Sequence, residues 1–308
     1  MKQKVALTRT GNRSQNIDDA LRLLDNDIDL KGKSRLFIKV NFVSIENQLA
    51  ATHIEATRGL LKFLRKSYNG SITIGESTLG SAHEGFEKFG YLDLVKEFDV
   101  GLVDLNEGNW EMVSLYDSAL NPMELHYSSR LINSDYRIAI GPPKTHDTVG
   151  VTLSIKNLAM GGLSYPHGDK RSMHQGYPVM NLNLYLLNRL CSPHLSIIDG
   201  FVGMEGDGPV SGAPVDWGIA VASIDPVAAD SLAAQLMGFN LSDIGYLTTC
   251  MDKGLGIGEI SKMEILGEDL ENCRCDFHPH STFRDQKNWR DERIDKILGI
   301  QPPSGIPG

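Results

Sequence analysis

The chain predicts an α/β fold: a mainly parallel sheet with helices on both faces, in three layers. Short apolar runs of strand length alternate along it with longer segments whose apolar residues fall at helical spacing. Gly, Pro and Asn-Gly punctuation separates these segments, as turns between buried elements require. At 308 residues, 41% hydrophobic and 22% charged, the chain is also long enough to bury a full core without disulfides or metals.

The elements follow in order. Ile17, Leu21, Leu24 and Ile28 predict a helix over 17–28, and Leu36-Phe37-Ile38-Lys39-Val40 a buried strand. Residues 54–68 repeat the helical pattern through Leu60, Leu61 and Leu64, and Asn69-Gly70 turns the chain into a strand at 71–75. A helix over 83–98 carries Gly85 and Gly90 in its middle, and a third strand follows at 100–104. Residues 107–130 lack a clear period, with 111–116 reading as a strand or part of an insertion. A strand at 136–140 stops at Gly141-Pro142-Pro143; a helix over 179–190 and strands at 195–198 and 218–222 come next. Asp225 fits an N-cap and Pro226 the first residue of a helix reaching about Met237. Residues 1–285 are expected to form one large domain, with two lobes (1–133 and 134–285) as the alternative. Residues 286–308, charged and then rich in proline and glycine, are expected to form a tail with poorly ordered last residues.

A net charge of −9 gives no global attraction to nucleic acid or anionic membranes, and no apolar run approaches the ~20 residues of a membrane helix. The N-terminus, Met1-Lys2-Gln3-Lys4-Val5-Ala6-Leu7-Thr8-Arg9, does not read as a signal peptide. Cys191, Cys250, Cys273 and Cys275 contain no Cys-x-x-Cys pair or ferredoxin run. The expectation is a cytoplasmic protein with reduced thiols and no iron–sulfur cluster of its own.

Ligands of open α/β sheets bind beyond the carboxyl ends of the strands. Successive predicted strands deliver Lys39 and Asn41, then Glu76, then Asp104 and Asn106, then Lys144, Thr145 and His146, then Asp199. Lys156-Asn157 adds a second cation and an amide ten residues beyond the Lys-Thr-His segment. Two lysines at one pocket suit a carboxylate or phosphate, or depress one another into a usable base. The loop from Ser164 to Gln175 could act as a lid bringing Arg171 and His174 over the anion. Asp199, Glu205 and Asp207, in a glycine-rich stretch, could hold a divalent cation through oxygen ligands; a glycine-rich turn bordering the pocket is the plainer reading. Cys273-Arg274-Cys275 with His278 and His280 fits no standard zinc spacing and reads as structural or incidental, in a segment of little predicted order. His53 reads as a helix N-terminal residue with Thr52 as its N-cap.

Together, Ile38-Lys39-Val40-Asn41-Phe42, Thr52-His53, Pro143-Lys144-Thr145-His146, Leu153-Ser154-Ile155-Lys156-Asn157, Ile198-Asp199-Gly200 through Gly208-Pro209, and Ser223-Ile224-Asp225-Pro226 through Asp230 resemble the domain of unknown function 362 family. The resemblance runs from about residue 35 to about 267. It departs at Val40, where the family pattern often has proline. It implies no general reaction; some members carry appended ferredoxin-type segments, whose cysteines are missing here.

Two functions fit these residues. One is an enzyme on a small anionic molecule, with Lys144 and Lys156 holding the anion, His146 or Glu76 moving a proton, and Lys39, Asn41, Thr145, Asn157, His174 and Asp199 completing the site. The other is a non-catalytic ligand- or cofactor-binding accessory of a redox or assembly system, which could dock a redox partner protein.

Overall fold

The computed structural model describes residues 2–299. Its first half runs β1 (Gln3–Thr8), α1 (Arg13–Leu23), β2 (Arg35–Lys39), α2 (Ile54–Leu64), β3 (Ser71–Glu76), α3 (Ala82–Lys88), α4 (Leu92–Phe98) and β4 (Gly101–Asp104). β5 (Trp110–Tyr116) and β6 (Pro122–Ser128) then pair into a separate two-stranded sheet, followed by α5 (Ser129–Ile132). The second half runs β7 (Tyr136–Gly141), β8 (Lys144–His146), β9 (Gly150–Thr152), α6 (Ser154–Gly162), α7 (Asp169–Ser172), α8 (Tyr177–Leu190), β10 (Leu195–Glu205) and β11 (Ala213–Ser223). It continues through α9 (Pro226–Leu236), α10 (Gly245–Asp252), β12 (Met263–Gly267) and three short helices, α11 (Leu270–Cys273), α12 (Phe283–Gln286) and α13 (Glu292–Leu298).

The main sheet has the order β12-β1-β11-β10-β7-β2-β3-β4, with the β8–β9 hairpin joined to the far end of β10. From β10 to β4 every neighbouring pair is parallel, while β11 runs antiparallel to both β10 and β1. The sheet is therefore mostly parallel and mixed, as an α/β fold with both faces covered should be. Strand side chains alternate between the faces. Leu36 and Ile38 pack with Ile17, Leu60 and Phe86 beneath α1–α4, whereas Phe37 faces the core of α6, α8, α9 and α10. Each fully buried leucine or isoleucine in these two cores contributes roughly 1.5–3 kcal/mol.

The order of strands places the site. From β2 the chain moves outward to β3 and β4, then returns to β7 on the other side of β2. The connections thus diverge between β2 and β7, opening a crevice at their carboxyl ends.

Several elements depart from the sequence reading. The helix expected over 83–98 is two helices, broken at Gly90, which takes φ +79°. Thr52 is not an N-cap: His53 Nδ1 accepts from the Glu55 N–H at 3.1 Å, while Thr52 Oγ1 accepts from Asn41 N at 2.7 Å. The glycine-rich stretch after Asp199 divides: its first part completes β10, paired with β11 across a bulge between Gly200 and Val202, and residues 206–212 form the turn into β11, with Pro209 and Val210 bordering the cavity. Cys273 lies in a helix, its carbonyl accepting from Trp217 Nε1 at 2.6 Å. Nor does the chain leave the domain at Gln286. That buried side chain accepts from Gly150 N at 2.6 Å and donates to the His146 carbonyl at 2.8 Å. The last part of the expected tail, 300–308, lies outside the described residues. Among those described, no helix is long and apolar enough to cross a membrane.

Candidate functional site: a cationic cavity at the strand switch

Lys39 is in phase with Phe37 along β2, so its side chain rises on the α6 face. Fully buried, its ammonium donates to Glu76 Oε1 at 2.7 Å, the Val40 carbonyl at 2.6 Å and Asn157 Oδ1 at 3.1 Å. Burial pulls it below the usual lysine range while the Glu76 carboxylate pulls the other way. Gly161 makes room: a Cβ there would lie 1.9 Å from Lys39 Cε. Glu76 is fully engaged as an acceptor, because Oε1 also takes the Ser77 N–H at 2.6 Å and Oε2 takes the Phe42 N–H.

Asn157 ties the two strands that flank the switch. Its Nδ2 donates to the Lys39 carbonyl at 3.3 Å and the Ile140 carbonyl at 3.2 Å, and its Oδ1 accepts from Asn41 Nδ2 at 3.0 Å. Lys144 holds this arrangement from behind, donating to Asn41 Oδ1 and, at 2.9 Å, to the Ala50 carbonyl. Burial, then the nearby Lys156 charge, draws Lys144 down to about 7. The first turn of α6 is anchored from α9. Asp230 accepts from the Ser154 and Ile155 N–H groups, both at 2.9 Å, doing the work of an N-cap that Leu153 cannot. That turn carries Lys156 and Asn157 into the crevice.

The result is a cavity of about 360 Å³. Lys156 is 7% exposed and makes no salt bridge or hydrogen bond among the described residues; burial draws it down to about 8, with the Asp147 carboxylate pulling the other way. Lys170, on α7, reaches in to the Ser77 carbonyl and to Ser77 Oγ at 2.6 Å; burial draws it to about 7. The hydroxyls of Thr78 and Thr152 are buried on the cavity wall with no partner among the described residues. Buried hydroxyls are normally satisfied. Those of Ser231 and Tyr246, away from this cavity, are also without a partner among the described residues. Three lysines, Lys39, Lys156 and Lys170, line the cavity against two carboxylates, Glu76 and Asp147, which leaves one cation in excess.

His146 also lines it, and burial, with Lys156 nearby, pushes its ring well below the ordinary histidine range. Its Nδ1 lies 3.0 Å from both the Thr148 N–H and Asp147 Oδ1, so a neutral ring satisfies one of them. With the proton on Nε2, Nδ1 accepts from Thr148. With the proton on Nδ1, the ring donates to Asp147 and leaves Nε2 as a base.

Seven residues expected at the site line this cavity: Lys39, Asn41, Glu76, His146, Lys156, Asn157 and His174. Lys144 and Thr145 sit behind the wall, the Thr145 hydroxyl donating to the Gly206 carbonyl at 2.8 Å. Asp104 caps the Ala82 N–H at 2.8 Å, and Arg171 is exposed outside the lining. Asp199 is elsewhere. It is in phase with Ile197, on the opposite face of the sheet from Lys39, and pairs with Arg13 at 3.2 Å. The expected cation set does not assemble either. Roughly 20 Å of extended strand separates Asp199 from Glu205, whose Oε2 accepts from His278 N at 2.8 Å, and Asp207 accepts from Ser281 Oγ at 2.9 Å.

Sequence reasoning missed Lys170, Ser77, Thr78 and Thr152. Lys170 sat in an aperiodic polar loop beside Arg171, with nothing to rank one cation above the other. His126, His167 and Asp169 form a further cluster, with ligand-type atoms within 4.8 Å of one another. The two imidazoles stack at 3.9 Å, so their in-plane lone pairs run parallel rather than converge, and Asp169 is taken by the His126 N–H at 2.8 Å and Nδ1 at 3.0 Å. This cluster fastens the Lys170 loop to β6.

Fold and site together define an α/β protein with a cationic cavity at the switch point of a mostly parallel sheet. The chain belongs to the family described as Domain of unknown function (DUF362), whose model matches residues 36–235 and so includes every residue lining the cavity. It is 28% identical over 167 residues to a thylakoid-associated protein of Synechocystis sp., covering 53% of this chain and 50% of that one. The chain thus spans about half the length of that relative. A similar solved structure is the lactate racemase apoprotein from Thermoanaerobacterium thermosaccharolyticum, with a TM-score of 0.48 and 15% identity over 77% of this chain and 57% of the other.

Proposed function

We propose that this protein is an enzyme that binds a small anionic molecule, through a carboxylate or phosphate group, in the cavity between β2, β3 and α6. The observation that carries this reading is Lys156: an enclosed ammonium with no salt bridge or hydrogen bond among the described residues, in a cavity also lined by the unpartnered hydroxyls of Thr78 and Thr152. A buried cation is costly unless paired, so its counter-charge is supplied by the ligand. Lys156 and Lys170 hold the anionic group, Thr78 and Thr152 donate to its oxygens, and the Lys39–Glu76–Asn157 network fixes the floor. His146, in the tautomer that donates Nδ1–H to Asp147, moves a proton through Nε2. A binding role without turnover is favoured by one observation: Glu76 and Lys144, both candidates for proton transfer, are locked in hydrogen bonds.

Titration with inorganic phosphate and with acetate tests the reading. Wild type is expected to bind at least one of them. Lys156→Met is expected to bind 10- to 100-fold more weakly while remaining folded, as loss of a charge-assisted hydrogen bond of about 1.5–3 kcal/mol requires. Unchanged affinity in folded Lys156→Met, or no binding by wild type, would sink it. Turnover assays on His146→Gln then divide enzyme from carrier.

A further inference from the structure

The cavity is graded from floor to mouth. Thr78, Thr152, Lys156 and His146 on its walls are nearly closed to solvent. Leu79 and Val210 at the opening are 62% and 39% exposed, and Val43, Met160 and Pro209 are half-buried around them. A single exposed leucine needs no explanation. Here aliphatic side chains from four separate segments converge on one opening. Val210 is held in place there, because Asn47 Nδ2 donates to its carbonyl at 2.8 Å. Asp147 also lines the cavity, half-exposed, with its carboxylate 3.0 Å from His146 Nδ1.

From this gradient we propose that the ligand is an amphipathic anion, with an anionic oxygen headgroup on the floor and an apolar body across Leu79, Val210, Val43 and Met160. This rests on the anion reading above and adds the half of the ligand that reading leaves blank. Covering the mouth removes its aliphatic area from water, so the apolar body contributes affinity through burial, while the headgroup sets orientation.

The test is a chain-length series in two arms on the full chain: straight alkanoates from acetate to octanoate, and monoalkyl phosphates from methyl to hexyl. Affinity is expected to rise by about fourfold per methylene in the arm whose headgroup the floor accepts, then to level off once the mouth is covered. The steeper arm identifies the headgroup. The double variant Leu79→Ser, Val210→Ser changes exposed side chains and so preserves the fold. It should flatten the slope while leaving the affinity for the shortest member unchanged. A flat series in wild type, or a slope that survives in the double variant, would overturn the amphipathic ligand and leave the anion site standing. Absence of binding throughout both arms would overturn both.

Discussion

Two crevices open at the carboxyl end of the sheet, on opposite faces, and they differ in how their charges are matched. The one beneath α1, about 220 Å³, holds Arg13 and Asp199 3.2 Å apart, with the guanidinium 4.9 Å from the Phe201 ring centroid. There each ion has its partner, and the pair ties α1 to β10. The one beside α6 holds Lys39 matched to Glu76, with Lys156 and Lys170 facing a single further carboxylate, Asp147, so one cation is in excess. A matched pair is complete as structure. An enclosed excess charge lowers stability until something outside the chain neutralises it, and that asymmetry separates a binding site from a brace.

The largest effect that could break this comparison is at the matched pairs. Lys39→Met leaves Glu76 buried without its cation and should cost about 3–5 kcal/mol, with much of it restored by adding Glu76→Gln. Arg13→Met should cost less in the same urea titrations. Arg13 is more exposed than Lys39, and burial already holds Asp199 at about 6, so the orphaned carboxyl can take up a proton. Equal losses at the two sites would erase the distinction.

A smaller effect sharpens it. Lys156 is held at about 8 in the folded protein against 10.5 for a free lysine. The unfolded chain therefore carries the extra proton between those values. The Lys156 contribution to stability rises as pH increases from about 8 to 10.5, and it is least favourable below 8. Anion affinity moves the other way, because only the ammonium attracts an anion. Sulfate, which keeps its charge across this range, should bind progressively more weakly as pH rises through about 8, and Lys156→Met should remove that step while leaving the loss near 7 that Lys170 supplies. A sulfate affinity independent of pH from 7 to 10 would show that Lys156 is not the binding charge.

The smallest expected effect is at the other crevice. Asp199→Asn should change phosphate or acetate affinity by less than twofold, since Asp199 lies across the sheet from the cavity. A tenfold change would mean that the two crevices act as one site.

Much of the site was legible in the chain because the rule behind it is local. A strand that ends in Lys39, and another that ends in Glu76, must present those groups at the sheet edge. Lys156-Asn157 followed as a cation and an amide a short way beyond the Lys-Thr-His segment. The same rule misplaced Asp199, because being at a strand end does not say on which face. Asp199 shares a face with Ile197 and Lys39 with Phe37, and only the folded sheet shows that these faces are opposite. Lys144 was misread as a contact group: its position after a buried strand was right, but its hydrogen bonds to Asn41 and Ala50 turn it away from the cavity. Lys170 could not be found by any periodicity, since its approach depends on Asp169 fastening the loop to His126 on another strand.

By itself the sequence determined the layers. Apolar spacing of two or near 3.6 acts over neighbouring residues and decides which faces must be buried, whatever the rest of the chain does. Tertiary structure alone decided which polar groups share a cavity and which charge is left over. Those depend on the return of the chain from β4 to β7, on Asp230 holding the start of α6 from 76 residues away, and on Gly161 letting Lys39 pass. Charge balance within a site is a sum over residues distant in sequence, and only the folded chain performs it.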